Sequence, residues 1–366
     1  MRRESGRTRG EDAPRTRDGH GGEPPPGTTA FIPHASPPGE TRTGRRALLA
    51  ASAAAGLGLL SACGTERADG SAGAEPKNPS GGSSPGGSAS PSPSPSRTKK
   101  KPQLPRGGRA LFPHYRLVGY CGLPGAEALG KLGTGDLEER AKEVEKKARE
   151  YAGKREPMPV FELLSTVTNS APGPDGKYRS RTADDTVRRF HELARKHDGM
   201  LLLNIQPGRA TMLDEVKALH DWLVHPDVGV ALDPEWDMGP GEVPGNTYGS
   251  TSGSELNEVS RYLSKVVEEN DLPEKPFVFH QVAVSVVPDQ DKLRPTPGVA
   301  MIKSADGIGT PGMKRGTWRH LVKDLPKGVH TGFKLFYDED TEGGSRLMDP
   351  DEVLKLKPEP EYVMYE

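Results

Sequence analysis

Long apolar runs, cysteine and excess charge are all scarce in this 366-residue chain. No apolar run reaches the roughly 18 residues that a membrane-spanning helix needs, which excludes a polytopic membrane protein. The formal net charge is −1, and the 41 basic and 45 acidic residues after position 62 leave −4, so no basic surface indicates nucleic-acid binding. The only cysteines are Cys63 and Cys121, too few for a thiolate metal cluster.

Aromatic residues make up 5% of the chain and are nearly absent from its first third. Residues 1–105 contain 32 of the 81 Gly and Pro residues but only one aromatic residue, Phe31. Such a segment cannot bury enough apolar surface to fold, so we predict that it is disordered. The other 19 aromatic residues lie in 106–366, which is long enough for a full single-domain core.

Residues 44–63, GRRALLAASAAAGLGLLSAC, have the pattern of an export signal. A pair of arginines precedes an apolar stretch of 14 residues, which is too short to cross a bilayer and suits a signal peptide. The arginine pair favours twin-arginine export, but Ala47 is smaller than the residue this motif prefers, so general secretion stays open. Leu60 to Cys63 resembles a bacterial lipobox. The resemblance implies that Cys63 is lipidated once residues 1–62 are removed; the alternative is an ordinary signal peptide with an unrelated cysteine.

Residues 63–105 are rich in Gly, Ser and Pro and include three consecutive lysines, Lys99 to Lys101. This composition is typical of flexible to semi-extended linkers, with a coil dimension of roughly 35 Å for about 40 residues. We predict a tether that holds the folded part away from the outer face of a membrane. The predicted organisation is a signal peptide at 1–62, a lipidated linker at 63–105 and a folded domain at 106–366.

Apolar, β-branched segments recur eight times in the folded part and alternate with helical stretches. Several are continuous apolar runs, as expected for parallel strands that are covered on both faces. This alternation predicts a (β/α)8 barrel of the TIM type, with an open doubly wound sheet as the competing topology. The second half is predicted to be irregular, because 283–298 contains three prolines and no helical period. The predicted strands are 115–121, 159–165, 200–206, 228–233, 276–282, 299–303, 331–337 and 361–365.

Capping residues indicate where several helices begin. Asp136 precedes a segment with an apolar stripe at helical spacing. Thr182 and Thr211 each stand three residues before an aspartate, in the capping-box pattern. Ser254 precedes another apolar stripe, and Pro311 lies near the start of a shorter helix.

Active sites of such barrels lie at the C-terminal ends of the strands and in the loops that follow them. The predicted strand ends carry many polar side chains that are suited to binding or proton transfer. Strand ends also meet solvent, so no single member of this set is decisive. The candidates are Glu162, Asn204, Gln206, Asp233, Glu235, His280, Gln281, Lys303, Asp306, Tyr337, Asp338 and Asp340.

The sequence Asp233-Pro234-Glu235-Trp236 ends the fourth predicted strand. Residues two apart on an extended chain point to the same face, and Pro234 biases Asp233 towards an extended conformation, so the two carboxylates would point together. Neighbouring carboxylates raise each other's proton affinity, so one can stay protonated while the other is ionised. Glycoside hydrolysis uses such a pair, and Trp236 offers a face for sugar stacking. The alternative is a solvated turn.

A short apolar strand that ends in Asp-x-Glu resembles the fourth strand of barrel glycosidases, in particular the muramidases of glycoside hydrolase family 25. The resemblance implies Glu235 as proton donor and Asp233 as its partner. The chain departs from that family at Val118 to Cys121, which contains no Asp. Asp338 or Asp340 after the seventh strand is an alternative partner for Glu235, because many retaining barrel glycosidases take their two carboxylates from these two strands. Over its whole length the chain looks like uncharacterised barrel lipoproteins exported by actinomycetes, a resemblance that implies no reaction.

Two functions from different classes are therefore expected. The first is a surface-anchored glycoside hydrolase that acts on a cell-envelope polysaccharide, with catalytic candidates Glu235, Asp233 and Asp338. The second is a non-catalytic glycan-binding or scaffold lipoprotein; a transporter solute-binding lipoprotein is a weaker third, because the folded part shows no division into two lobes. We expect a monomer without nucleic acid, cofactor or metal, since His280 lacks companions at ligand spacing. Substrate-binding roles are expected for Trp236, Glu162, Asn204, Gln206, His280, Gln281, Tyr337 and Asp340.

Overall fold

The computed structural model describes residues 100–366. The predicted signal peptide, the lipidation of Cys63 and most of the predicted linker lie outside the described residues. Leu104 is buried in one cluster with Leu111 and Tyr115, so the packed region begins slightly before the predicted boundary at residue 106.

Eight parallel strands close into a barrel, which confirms the predicted (β/α)8 fold and makes the doubly wound alternative wrong. The barrel closes at β1, which pairs with β2 on one edge and with β9 on the other. The strands are β1 (Tyr115–Gly122), β2 (Glu156–Thr168), β3 (Arg179–Arg181), β4 (Met200–Ile205), β5 (Val228–Leu232), β6 (Lys275–Gln281), β7 (Val299–Ala305), β8 (His330–Leu335) and β9 (Tyr362–Tyr365).

Helices cover the outside of the barrel unevenly. Among the described residues, the connection from β6 to β7 contains only the short 3-10 turns Val284–Val286 and Gln290–Lys292, as the prolines in this segment predict. The helices are α1 (Leu137–Glu150), α2 (Asp184–Lys196), α3 (Met212–Ala218), α4 (His220–Leu223), α5 (Gly253–Glu269), α6 (Pro311–Leu321) and α7 (Pro350–Leu354), and further 3-10 turns are Glu127–Leu129, Lys131–Gly133, Pro234–Trp236 and Glu339–Gly344.

The strand β3 is not a member of the barrel and was not predicted from the sequence. It pairs antiparallel with the end of the long strand β2, beyond the barrel. Its two arginines, Arg179 and Arg181, donate to the buried carboxylate of Glu215 on α3, which holds the hairpin against the barrel. Because of β3, the fourth and seventh predicted strands are β5 and β8.

The capping predictions have mixed outcomes. Asp136 and Thr211 are N-caps whose side chains accept from the backbone N–H three residues later, as predicted. The prediction for Thr182 is wrong, because its hydroxyl donates to the Leu164 carbonyl and α2 begins one residue later than a Thr182 cap requires. The longest helix is capped by Ser252 rather than preceded by Ser254, with a full capping box to Glu255.

Two apolar layers follow from the alternation of side chains along each strand. Alternate residues such as Val118, Phe161 and Val230 face outward and pack under the helices. The residues between them face the barrel interior and form a second cluster, which includes Leu117, Val160, Leu202, Ala231, Val278 and Ile302. Within residues 100–366, no helix has the length and apolar character that crossing a membrane requires.

The inward-facing Gly119 of β1 is predicted to be essential for closing the barrel. A Cβ added there would lie 1.8 Å from the backbone oxygen of Val160 on β2, so Gly119→Ala should force the two strands apart. We expect a loss of about 1–3 kcal/mol or more in the free energy of unfolding, measured by urea denaturation. The control is Gly316→Ala inside α6, where the added Cβ meets nothing within 4 Å and stability should rise by about 0.5–1 kcal/mol. Equal stability of Gly119→Ala and the wild type would contradict this account.

Candidate active site

The barrel interior changes from apolar to polar at the C-terminal ends of the strands. On each of five strands, a polar residue follows an apolar residue of the interior cluster by two positions. Residues two positions apart on a strand point to the same side, so these polar side chains also face the barrel interior. An interior filled in this way is a packed core whose upper layer carries chemistry. The steps run from Val160 to Glu162, Leu202 to Asn204, Ala231 to Asp233, Val278 to His280 and Ile302 to Ser304.

His280 on β6 is fully buried and lies between two carboxylates. Its Nδ1 is 2.9 Å from Asp306 Oδ2, within hydrogen-bond distance, and its Nε2 is 3.1 Å from Glu162 Oε1 as an ion pair without hydrogen-bond alignment. Burial alone would lower the pKa of this imidazole, but Asp306 and Glu162 together raise its pKa well above the usual value. His280 is therefore a fixed buried cation, and both of its ring nitrogens face carboxylates.

Glu162 on β2 is held as an anion. The Asn204 amide donates to its Oε1 at 3.0 Å and the Tyr362 hydroxyl donates to its Oε2 at 2.5 Å. Burial alone would raise the pKa of Glu162, but the positive charges of His280 and Lys334 hold it below the usual value.

The pKa of Asp233, just after β5, is shifted in the opposite direction from that of Glu162. The second proton of the Asn204 amide is donated to Asp233 Oδ1 at 3.1 Å, and the Gln206 amide donates to Oδ2 at 3.2 Å. Burial, reinforced by the nearby charge of Glu162, raises the pKa of Asp233 in spite of the opposing cations. Asn204 thus joins an ionised carboxylate to one that retains its proton more strongly.

A second cation, Lys334 on β8, was not predicted from the sequence. Its Nζ lies 2.7 Å from Glu366 Oε2 and 3.4 Å from Asp306 Oδ2, and Glu366 and the other acids raise its pKa well above the usual value although burial opposes this. Cys121 donates from Sγ to the same Glu366 oxygen at 3.8 Å, and burial raises the pKa of its thiol. Lys334 stands two residues after the inward-facing Gly332. The alternation of side chains along a strand therefore predicts that Lys334 also faces the barrel interior.

A narrow pocket opens above these groups. Its cavity volume of about 30 Å³ accommodates roughly two water molecules. Both carboxylates of the Asp-x-Glu sequence line it, but the chain is not extended as predicted, because Pro234 begins a 3-10 turn. The lining residues are Cys121, Leu129, Glu162, Leu164, Asn204, Gln206, Asp233, Glu235, Trp236, Lys334 and Glu366.

Several predicted site residues do not line this pocket. Gln281 donates to the carbonyls of Ala283 and Val284, outside the barrel. Tyr337 donates to the Tyr120 hydroxyl within an aromatic cluster, and Asp338 is exposed.

Asp340 and Lys303 are also placed outside the pocket. The carboxylate of Asp340 is fully buried and pairs with Lys314 Nζ at 2.8 Å while accepting from two backbone N–H groups. Lys303 donates to Gln290, which lies in the connection from β6 to β7, and burial lowers the pKa of Lys303 to about 7.

Asp237, in the loop that follows Glu235, has a shifted pKa and was not predicted from the sequence. Burial, with help from Glu255 and Glu242, raises its pKa to about 7. Its backbone accepts from Ser250, which ties the two ends of the long Gly-rich loop together.

Comparisons with known proteins do not identify a family for this chain. No protein-family model matches the chain, and no curated protein matches it. Among solved structures, a trimodular GH5_4 subfamily endoglucanase is 12% identical over 69% of this chain and 55% of its own, with a TM-score of 0.38. The spore cortex-lytic enzyme SleL of Bacillus megaterium QM B1551 is 10% identical over 69% of this chain and 71% of its own, with a TM-score of 0.36. The chain spans little more than half the length of the endoglucanase.

His280→Gln should destabilise the barrel strongly. The variant removes the cation between two buried carboxylates, and loss of one partner of a buried ion pair costs about 3–5 kcal/mol. The pKa of His280 is higher in the folded than in the unfolded protein. Its contribution to the free energy of unfolding is therefore complete below about pH 6.5 and declines as the pH rises towards the folded-state pKa. The contributions of Asp306 and Glu162, whose pKa values are lowered, are instead lost as the pH falls below about 4.

Urea denaturation of the wild type and His280→Gln from pH 5 to pH 9 measures this contribution. The gap in unfolding free energy between them should narrow above about pH 6.5. His320→Gln, at an exposed position of α6, is the matched control and should stay within about 0.5 kcal/mol of the wild type. A gap that does not depend on pH would show that His280 is not a cation in the folded barrel.

Proposed function

We propose that the barrel mouth is a carboxylate acid–base site that hydrolyses a cell-envelope polysaccharide. The observation that supports this most is the pair Asp233 and Glu235, which line one water-sized pocket while the pKa of Asp233 is raised. Glycoside hydrolysis needs one carboxyl group that keeps its proton and one that is ionised, on either side of the bond to be cut. Trp236, half-buried at the same pocket, would provide an apolar face for a sugar ring.

The roles that we assign differ from those implied by the muramidase resemblance. Asp233 carries the proton, because burial and Glu162 favour its neutral form, and Glu235 is the second carboxylate. In the proposed reaction Asp233 gives its proton to the glycosidic oxygen as the bond to the anomeric carbon breaks. A water in the pocket forms the new bond to that carbon and gives a proton to Glu235. Room for water between the carboxyl groups is what an inverting reaction requires.

Asp233→Asn and Glu235→Gln should each lower kcat for release of soluble fragments from purified peptidoglycan by about 10²- to 10⁴-fold. The rate of the wild type should fall as the pH rises through the raised pKa of Asp233, because the proton donor is then lost. Asp338→Asn is the matched control, since this acid is exposed and does not line the pocket, and should retain wild-type activity. Undiminished release by Glu235→Gln would refute the catalytic proposal.

A non-catalytic glycan-binding protein is the second candidate, and two observations favour it. The pocket accommodates water rather than a sugar ring, and β8 contributes Lys334, which pairs with Glu366, rather than a carboxylate to its lining. On this proposal, the full chain would sediment with purified peptidoglycan without releasing fragments, and Glu235→Gln would change neither result.

We also propose that the protein is exported, lipidated at Cys63 and held as a monomer on the outer face of the cell membrane. Support for this comes from the sequence of residues 44–63, which precede the described residues. Cys63→Ala should abolish labelling by a palmitate analogue and move the protein from the membrane fraction to the medium. Cys121→Ala is the control and should leave labelling unchanged, because this thiol is buried in the barrel. Membrane-bound, labelled Cys63→Ala would contradict the proposal.

A further inference from the structure

Two histidines and an aspartate meet outside the candidate active site. His191 lies on α2, and His225 and Asp227 lie in the segment that leads into β5. One ligand atom from each of the three lies within 4.8 Å of the others. His191 and Asp227 are buried, and His225 is partly exposed.

The backbone holds this group in place before any ligand binds. The Asp227 carbonyl accepts from Leu201 N at the start of β4, at 2.9 Å, and the His225 carbonyl accepts from the buried Lys275 Nζ at 3.1 Å. Both imidazoles pack against the Trp222 ring, with centroids 5.8 Å and 6.2 Å away. Their own ring centroids are 4.7 Å apart.

Hydrogen bonds occupy His191 and Asp227 but not the ring of His225. His191 Nε2 lies 3.1 Å from Asp227 Oδ2, whereas the His225 ring makes no hydrogen bond to any residue between 100 and 366. A cavity of about 350 Å³ adjoins the group and is lined by His225 and Asp227. Solvent can therefore reach two of the three side chains.

We propose that His191, His225 and Asp227 bind a divalent transition-metal ion, with water from the adjoining cavity completing its coordination. Two imidazoles and one carboxylate suit zinc and its neighbours, which bind nitrogen at about 2.0–2.1 Å. In a tetrahedral zinc site the donor atoms lie about 3.4 Å apart, so the longest separation in the group must contract by up to about 1.4 Å.

The charges around the group set one condition for binding. Arg195 Nε lies 3.7 Å from Asp227 Oδ2 and would compete with a cation. The Arg195 side chain is 67% exposed and can turn into solvent. Asp198 also lines the cavity and adds a second carboxylate that attracts a cation. Lys275 is directed at backbone carbonyls and stays in place.

The position of the group indicates a structural role rather than a part in hydrolysis. It lies where the chain enters β5, at the N-terminal face of the barrel, where such features serve stability. The cavity is also lined by Gln103, Leu104 and Pro105, the segment through which the predicted tether joins the barrel. A bound ion would tie α2 to the start of β5 beside that segment.

Zinc binding by the full chain, purified without a histidine tag, tests the proposal. Titration with Zn²⁺ against a chromophoric chelator should show one equivalent bound, and His225→Ala should weaken this binding by about 100-fold or more. Saturating Zn²⁺ should raise the thermal unfolding midpoint of the wild type but not of His225→Ala. An excess of Mg²⁺ should not compete, because it prefers oxygen ligands.

His220→Ala is the matched control, since this exposed histidine contacts Tyr262 on the same side of the barrel. It should bind zinc like the wild type. The ring of His225 makes no hydrogen bond among the described residues and is partly exposed, and its backbone hydrogen bonds do not depend on the side chain. Its replacement by Ala should therefore leave the metal-free thermal midpoint nearly unchanged. Equal zinc affinity of the wild type and His225→Ala, or equal loss in His220→Ala, would overturn the proposal.

Discussion

The imidazolium of His280, held between Glu162 and Asp306, is the interaction on which the upper half of the barrel depends. Isolated buried charges are too costly to keep, so a carboxylate in this interior persists only with a cation beside it. His280 and Lys334 supply two positive charges against the carboxylates of Glu162, Asp306 and Glu366. The next acid, Asp233, holds its proton more tightly mainly because it is buried, and the charge of Glu162 adds to this effect against the pull of both cations.

This balance connects stability to chemistry. Asp233 and Glu162 both accept from the one amide of Asn204, but Glu162 is also bonded by the Tyr362 hydroxyl and faces the His280 cation directly. A change to His280 would therefore alter the pKa of Asp233 without replacing a residue that lines the pocket, whereas a change to Lys334 would alter both the pKa and the lining. An arrangement of fixed charges around one proton-holding acid is what acid catalysis uses, and it needs no movement of the barrel.

The barrel could be predicted from the sequence because its strands are continuous apolar runs with helical stretches between them. The site could be predicted only in part, because the position of a residue at a strand end does not by itself give the direction of its side chain. On β8 the inward residues are Gly332 and Lys334, so the odd-numbered Tyr337 falls on the outer side, as Gln281 does beside the inward His280. His191 precedes His225 by 34 positions, a separation that no local pattern reveals.

The burial of Cys121 has a consequence for the behaviour of the protein towards other copies of itself. Cys121 is the one cysteine among residues 100–366, and burial beside Glu366 keeps it as a neutral thiol. Disulfide exchange requires a thiolate that another sulfur can reach. In an oxidising medium the barrels therefore cannot become cross-linked through this residue while they stay folded. Covalent dimers joined at Cys121 would instead report that a barrel has opened.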